Sequence, residues 1–434
     1  MAFNGGGLMR KKIIFKGPLL TRSGYGEQSR FALRSLRTRE DLFDIYIQPI
    51  QWGQTSWLFE NTDERQWIDQ TIEKTIAFVQ QGGQFDMSFQ VTIPNEWEKI
   101  APINIGYTAG IETNKVAPIW LQKGNEQLDK IVTISKHSRD IYKNTNVIAQ
   151  DRNTGRQFDY NLQTPIEYIN YPAKKFESLP ELDITLETSF NFLAVAQFGP
   201  RKNLPNTLKW FVEEFHDEDV GLVLKTNIVK NSVMDRERIF EDLKKFLINF
   251  PDRKCKVFLL HGDMTDEEMH SLYKHSQIDA FIALPHGEGF GLPIFEAAYS
   301  GLPVIATGWS GHLDFLVDEE GTEHFYNVAF DLQPVQQEVV WDNVLIKESM
   351  WAYPREQSAK KQMRLCYEQM TNEETRGTEM IALEQYAQNL HERFAPEKQF
   401  GKFVSFLEEY CDDTAATSDD DWLNEVSDII KEYE

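Results

Sequence analysis

Two glutamates stand eight positions apart, Glu288 and Glu296, in the otherwise apolar stretch LPHGEGFGLPIFEAAYSGLPVIA, residues 284–306. Burying an unpaired carboxylate is expensive, so each needs a partner. A carboxylate accepts two hydrogen bonds, which suits the vicinal hydroxyls of a sugar. Gly287, Gly289 and Gly291 let the backbone approach a ligand closely. Their N–H groups, with a helix N-terminus behind them, suit phosphate. Pro293 fits the first turn of that helix and Gly301 its C-terminal cap. The chemistry this stretch offers is a site for a polyol and a phosphate. In the plainer reading Glu296 caps its own helix and Glu288 is solvated.

Further candidates follow other strand-like runs. AQFGPRKN (196–203) places Arg201 and Lys202 where a cation pair can clamp a diphosphate; the alternative is ordinary surface charge. GPLLTRSGYGEQSR carries Gly24 and Gly26 at a helix start, where backbone and ligand can approach. A dinucleotide fingerprint needs a third glycine, and Ser29 stands there, which counts against an NAD-dependent enzyme. GYTAGIETNKVAPIW (106–120) offers Thr108, Gly110 and Glu112 to a cleft. No His, Cys and Asp cluster has metal-ligand spacing, and Asp419–Asp421 fall in the tail, so no metal site is expected. His261, His286 and His312 fall near strand ends, where a structural histidine is commoner than a catalytic one.

These residues need a frame. Short apolar runs alternate with helical patterns: KIIFKG (12–17), FDIYIQ (43–48), FDMSFQV (85–91), INIGYT (103–108) and KIVTIS (130–135) read as strands. The alternation pauses over about 150–190 and restarts with FNFLAVAQ (190–197), GLVLKT (221–226), KVFLLHG, DAFIALP and LPVIAT. Strands alternating with helices predict parallel sheets covered on both faces, here in two doubly wound units facing a cleft. Ligands of such sheets sit outside the carboxyl ends of the strands. The expected division is 1–175, 176–385, a pair of helices over 386–411 crossing back, and an acidic tail over 412–434. That tail is read either as solvated or as a partner-docking helix through Trp422, Leu423, Val426 and Ile429.

A chain of 434 residues is too long for one ordinary core. The net charge of −23 repels nucleic acid and anionic membrane, although a local basic groove stays open. Cys255, Cys366 and Cys411 are scattered and read as packing residues in a reducing cytosol. No window approaches the roughly 20 apolar residues that span a bilayer. The start, MAFNGGGLMRKKIIFKG, lacks a signal-peptide pattern. A soluble, cytoplasmic protein is expected.

Taken together, the motifs resemble the retaining GT-B glycosyltransferases of family 4, the "glycosyl transferases group 1" type. The signature is Glu288, seven residues, then Glu296, followed by Ala297, Gly301, Pro303 and Val304. GDMTDEEMHSLYKHSQIDAFIALP and DKIVTISKHSRDIY are similar to other family segments. The resemblance implies a metal-independent transfer of sugar from a nucleotide sugar, such as a UDP- or GDP-sugar, with no cofactor. It implies Glu296 on the ribose hydroxyls, and Glu288 with Gly289, Phe290, Gly291 and Leu292 facing sugar and diphosphate. Lys202 and Arg201 would neutralise the diphosphate, with Gly24 and Gly26 against it from the other unit. Ala196 and Gln197 stand where an arginine is usual, which gives Arg201 more to do. Glu112 replaces a usual histidine, and His286 a usual serine. Glu288, Lys202, Arg201 and Glu112 are thus the catalytic candidates. An epimerase or a non-catalytic sugar-binding protein on the same fold stays open. So does the acceptor: glycan, lipid-linked glycan, small molecule or modified base. The aromatic run QPIQWGQTSWLFE (48–60) is either a sugar-stacking surface or a folded loop.

Overall fold

The computed structural model describes residues 10–411, apart from 54, 152 and 230. Eight strands build the first half: β1 (Lys11–Gly17), β2 (Phe43–Pro49), β3 (Met87–Val91), β4 (Ile103–Thr108), β5 (Lys130–Thr133), β6 (Val147–Gln150), β7 (Gln157–Tyr160) and β8 (Ile166–Tyr168). Six of them form a parallel sheet in the order β2-β1-β3-β4-β5-β8. Strands buried on both faces read as nearly continuous apolar runs, and Ile13, Phe15, Phe89, Val91 and Ile105 are all buried. β6 and β7 pair as a separate antiparallel hairpin. β8 adds a sixth strand inside the stretch that reads as irregular in sequence. Its three residues, with Glu167 exposed, are too short to show a period.

The second half repeats the plan. β9 (Phe190–Val195), β10 (Val220–Lys225), β11 (Lys256–Leu260), β12 (Ala280–Ala283), β13 (Val304–Thr307) and β14 (Tyr326–Val328) make a parallel sheet in the order β11-β10-β9-β12-β13-β14. The winding direction reverses between β9 and β12. That is the switch point at which open α/β sheets bind ligands. The loop after β9 carries Arg201 and Lys202, and the loop after β12 carries Glu288. β15 (Phe330–Pro334) and β16 (Met350–Pro354) pair antiparallel, and the chain between them reaches the first half. There the Asn343 carbonyl accepts from Asn95 Nδ2 at 3.0 Å.

The last described helix, Pro396–Glu408, returns to the first sheet and lies on the helix Gly24–Arg37. Phe403 is fully buried there, with its ring 5.5 Å from Phe31, 5.2 Å from Phe89 and 5.4 Å from Tyr107. Burying one such ring contributes roughly 2–3 kcal/mol, enough to hold the crossover in place. All three cysteines are buried. Among the described residues no helix is long and apolar enough to cross a membrane. The tail through Trp422, Leu423, Val426 and Ile429, and the glycine run near the start, lie outside the described residues.

Candidate functional site

Between the carboxyl edges of the two sheets lies a cavity of about 1030 Å³. The first half supplies Gly24, Tyr25 and Glu112 to its wall, and the second supplies Arg201, Lys202, Glu288, Gly289, Phe290, Gly291, Leu292 and Glu296. The strand-end placement that the sequence predicted for these residues is thus what brings them to one cavity.

One corner is a cluster of four charges. After β9 the chain makes a single 3₁₀ turn, Pro200–Lys202, and Asn203 takes a left-handed backbone with φ 54°. This turn aims both cations at the loop after β12. Arg201 Nη1 donates to the Gly287 carbonyl at 2.8 Å and sits 3.0 Å from Glu288 Oε2. Its Nη2 lies 3.0 Å from Glu112 Oε1, on the opposite half of the molecule. Lys202 Nζ lies 2.5 Å from Glu288 Oε1. Glu288 is only 7% exposed. Burial alone would raise its carboxyl, but Arg201 and Lys202 outweigh that and hold it at about 2. Burial and the adjacent guanidinium together pull the Lys202 ammonium below its ordinary range.

The other corner is crowded with carboxylates. Glu296 lies in the helix Leu292–Tyr299, which starts at Gly291 with φ 91° and has Pro293 in its first turn. Its Oε2 accepts from the Tyr273 hydroxyl at 3.0 Å, so it is held by a neighbouring helix rather than capping its own. Burial pushes the Glu296 carboxyl up to about 7; Lys174 opposes this, and the charges of Asp266 and Glu27 add to it. Lys174 Nζ is itself divided between Glu27 Oε1 and Asp266 Oδ2, each at 2.8 Å. Glu27 comes from the helix Gly24–Arg37 and Asp266 from Asp266–Tyr273, so this lysine ties the two halves together.

Some expected roles shift. A Cβ on Gly287 would meet the Glu112 carbonyl oxygen at 2.1 Å, and one on Gly289 would meet that of Ala109 at 2.1 Å. The space a side chain would take at either glycine is filled by the first half's backbone. Gly26 packs as tightly on the Thr21 carbonyl and does not line the cavity, whereas Gly24 has open space before it. His286 is also off the cavity wall. Its ring stacks on Trp351 at 4.9 Å, and Nδ1 donates to the Ala352 carbonyl at 2.6 Å, so it anchors β16. His312 is buried, with Nε2 donating to the Thr307 carbonyl at 2.6 Å, and His261 pairs with Asp235 at 3.0 Å.

Other wall residues went unread. Lys225 closes β10 as Arg201 and Lys202 follow β9, so its signal in the sequence is a cation at a strand end. Lys174 and Asp266 carried no signal, because their meaning depends on the two halves meeting. Trp341 lies between β15 and β16, a stretch without periodicity, and is 59% exposed at the cavity. Among the described residues, no group of three or more His, Cys, Asp or Glu is arranged to hold a metal ion.

Comparisons with known proteins bear on this geometry. Residues 185–327 match the family model "Glycosyl transferases group 1". A 200-residue segment is 29% identical to the serotype-specific mannosyltransferase WbdA of Escherichia coli. That match covers 43% of this chain and 22% of the relative, so the chain spans well under half the length of that protein. Among solved structures, sucrose-phosphate synthase of Thermosynechococcus elongatus has a TM-score of 0.57 at 13% identity, over 92% of this chain and 99% of that one. Anabaena HepE, solved with UDP and glucose, has a TM-score of 0.54 at 13% identity, over 92% and 100%. These structures share the two-sheet GT-B fold expected from the sequence. Residues 185–327 are therefore similar to the glycosyl transferases group 1 family, within a chain that has the two-sheet GT-B architecture.

Proposed function

We propose that the protein is a glycosyltransferase moving a sugar from a nucleoside-diphosphate sugar to an acceptor hydroxyl. The observation that carries this is the convergence of Arg201, Lys202, Glu288 and Glu296 on one cavity at the switch point of a group 1 domain. Glu296 takes the ribose hydroxyls. Breaking the bond between sugar and phosphate leaves a diphosphate of growing negative charge. Lys202, Arg201 and the N-terminus of the helix Leu292–Tyr299 stabilise that charge in place, without a metal ion. Such fixed charge helps most where water is kept out, as closure of the two halves over a bound donor would do. By resemblance the transfer retains configuration, with the leaving phosphate taking the acceptor's proton on the same face.

Support for the donor class comes from the UDP held by the HepE structure, and support for a glycan acceptor from the WbdA mannosyltransferases. Trp52, from the aromatic run, lines the cavity with its ring 4.3 Å from Tyr25, which gives a sugar a surface to stack on. The test is a thermal-shift screen of UDP-, GDP- and ADP-sugars, mannosyl donors included, followed by transfer assays on mannosides and other glycans. A true donor at 100 times its Kd stabilises by ~2.7 kcal/mol, a readily measured rise. Stabilisation by none of the three classes would count against the reading.

A further inference from the structure

Glu112 is the one member of the four-charge corner that belongs to the first half. The loop carrying it, after β4, is pinned across the cleft. Asn114 N donates to the Met350 carbonyl at 2.9 Å, and Asn114 Oδ1 accepts from Met350 N at 2.7 Å. The Glu112 carbonyl lies against Gly287. The backbone is therefore fixed while the side chain, less buried than that of Glu288, reaches Arg201 Nη2 at 3.0 Å. Two cations and two carboxylates leave the corner with no net charge. An entering diphosphate gains little there until one carboxylate withdraws. Glu288 is held by both cations and buried, whereas Glu112 is held by Arg201 alone. Glu112 is the group that can yield.

We propose that Glu112 is a built-in competitor for the donor's diphosphate: it pairs with Arg201 and must be displaced before the phosphates can reach that guanidinium. This rests on the donor site proposed above. The charged and titratable groups facing Glu112 are Arg201, Lys202, Glu288 and the Tyr25 hydroxyl. Burial already pushes its carboxyl up against the pull of Arg201, and losing that guanidinium to the phosphates shifts the balance further toward the protonated form.

The experiment is calorimetry on the full chain with inorganic pyrophosphate, and with UDP, GDP and ADP, comparing wild type with Glu112→Gln and Glu112→Asp. Gln keeps the shape and removes the charge. Pyrophosphate is expected to bind Glu112→Gln about fivefold or more tightly than wild type, the size of one charge contact in a partly screened site. Glu112→Asp, with its charge restored, returns toward wild type. Heats measured in two buffers of different ionisation enthalpy should show extra proton uptake in wild type that Glu112→Gln lacks, a readout a purely structural residue would not move. Equal or weaker pyrophosphate binding by Glu112→Gln, or tighter binding by Glu112→Asp as well, overturns the assignment. If no nucleoside diphosphate binds any of the proteins while pyrophosphate behaves as expected, the donor reading falls and the competitor role stands.

Discussion

Glu288 and Glu296 belong to one motif, eight residues apart, and their surroundings drive them in opposite directions. Glu288 is held at about 2 because two cations outweigh its burial. Glu296 is pushed up to about 7 because burial and the charges of Asp266 and Glu27 outweigh Lys174. The same side chain therefore supplies a fixed negative charge at one end of the cavity and a group able to gain or lose a proton at the other. The first corner fixes two cations around one carboxylate, and on the proposed function the second offers its carboxyl to the donor's hydroxyls.

The sharpest way to break this contrast is to remove a cation. Lys202→Met leaves Glu288 with Arg201 alone and takes one positive charge from the diphosphate. Transfer should fall by roughly 10²–10³-fold in kcat, the scale of losing one preorganised charge-stabilising donor. Steady-state kinetics with the donor found in the screen checks this; a loss under tenfold would mean Lys202 is only structural.

Glu296→Gln should act on the donor's KM more than on kcat, by roughly ten- to a hundredfold, the worth of a hydrogen bond to a charged group. It also has a stability signature of opposite sign to Glu288→Gln. A carboxyl raised to about 7 contributes stability that is full below its unfolded value near 4.5 and is lost as pH rises through 7. Glu296→Gln should therefore gain in Tm relative to wild type between pH 5 and pH 8. A carboxyl lowered to about 2 contributes stability present above 4.5 and lost as pH falls toward 2. Glu288→Gln should be less stable than wild type at pH 7 and converge with it only as pH falls to about 2. Tm measured across pH for both variants tests the contrast, and parallel curves would erase it.

Gly289→Ala sets a methyl against the Ala109 carbonyl, 2.1 Å away, so the two halves must part slightly. About a tenfold fall in kcat is expected from misplaced groups, whereas Gly24→Ala enters open space and should alter donor KM alone. The smallest effect should come from His286→Phe. It keeps the stack on Trp351 and loses one hydrogen bond of about 1 kcal/mol. Tm should fall slightly and kcat change by less than about threefold, since the ring is off the cavity wall.

Much of this was legible beforehand because strands buried on both faces announce themselves as apolar runs, and ligand groups follow their ends. Arg201, Lys202, Glu288 and Glu296 could be named from that rule and the family resemblance. What stayed hidden depends on the two halves meeting. Gly287 and Gly289 look like phosphate-binding glycines in sequence, and only the apposed loop of Ala109 to Glu112 shows why a side chain is excluded. Lys174 is one lysine in a linker until Glu27 and Asp266 close on it. β8 and the crossing segment around Trp341 are short or aperiodic, so pattern alone cannot place them. His286 misled by position: it follows a strand like the others, but its ring turns toward β16.

On the proposed function labour is divided, with the cation corner on the diphosphate and Glu296 on the nucleoside. Calorimetry of wild type, Lys202→Met and Glu296→Gln tests it directly, using the best-binding of UDP, GDP and ADP together with its monophosphate. The prediction is that Lys202→Met weakens the diphosphate far more than the monophosphate, while Glu296→Gln weakens both by a similar factor. Equal losses on both ligands for Lys202→Met, or unchanged binding in Glu296→Gln, would contradict it.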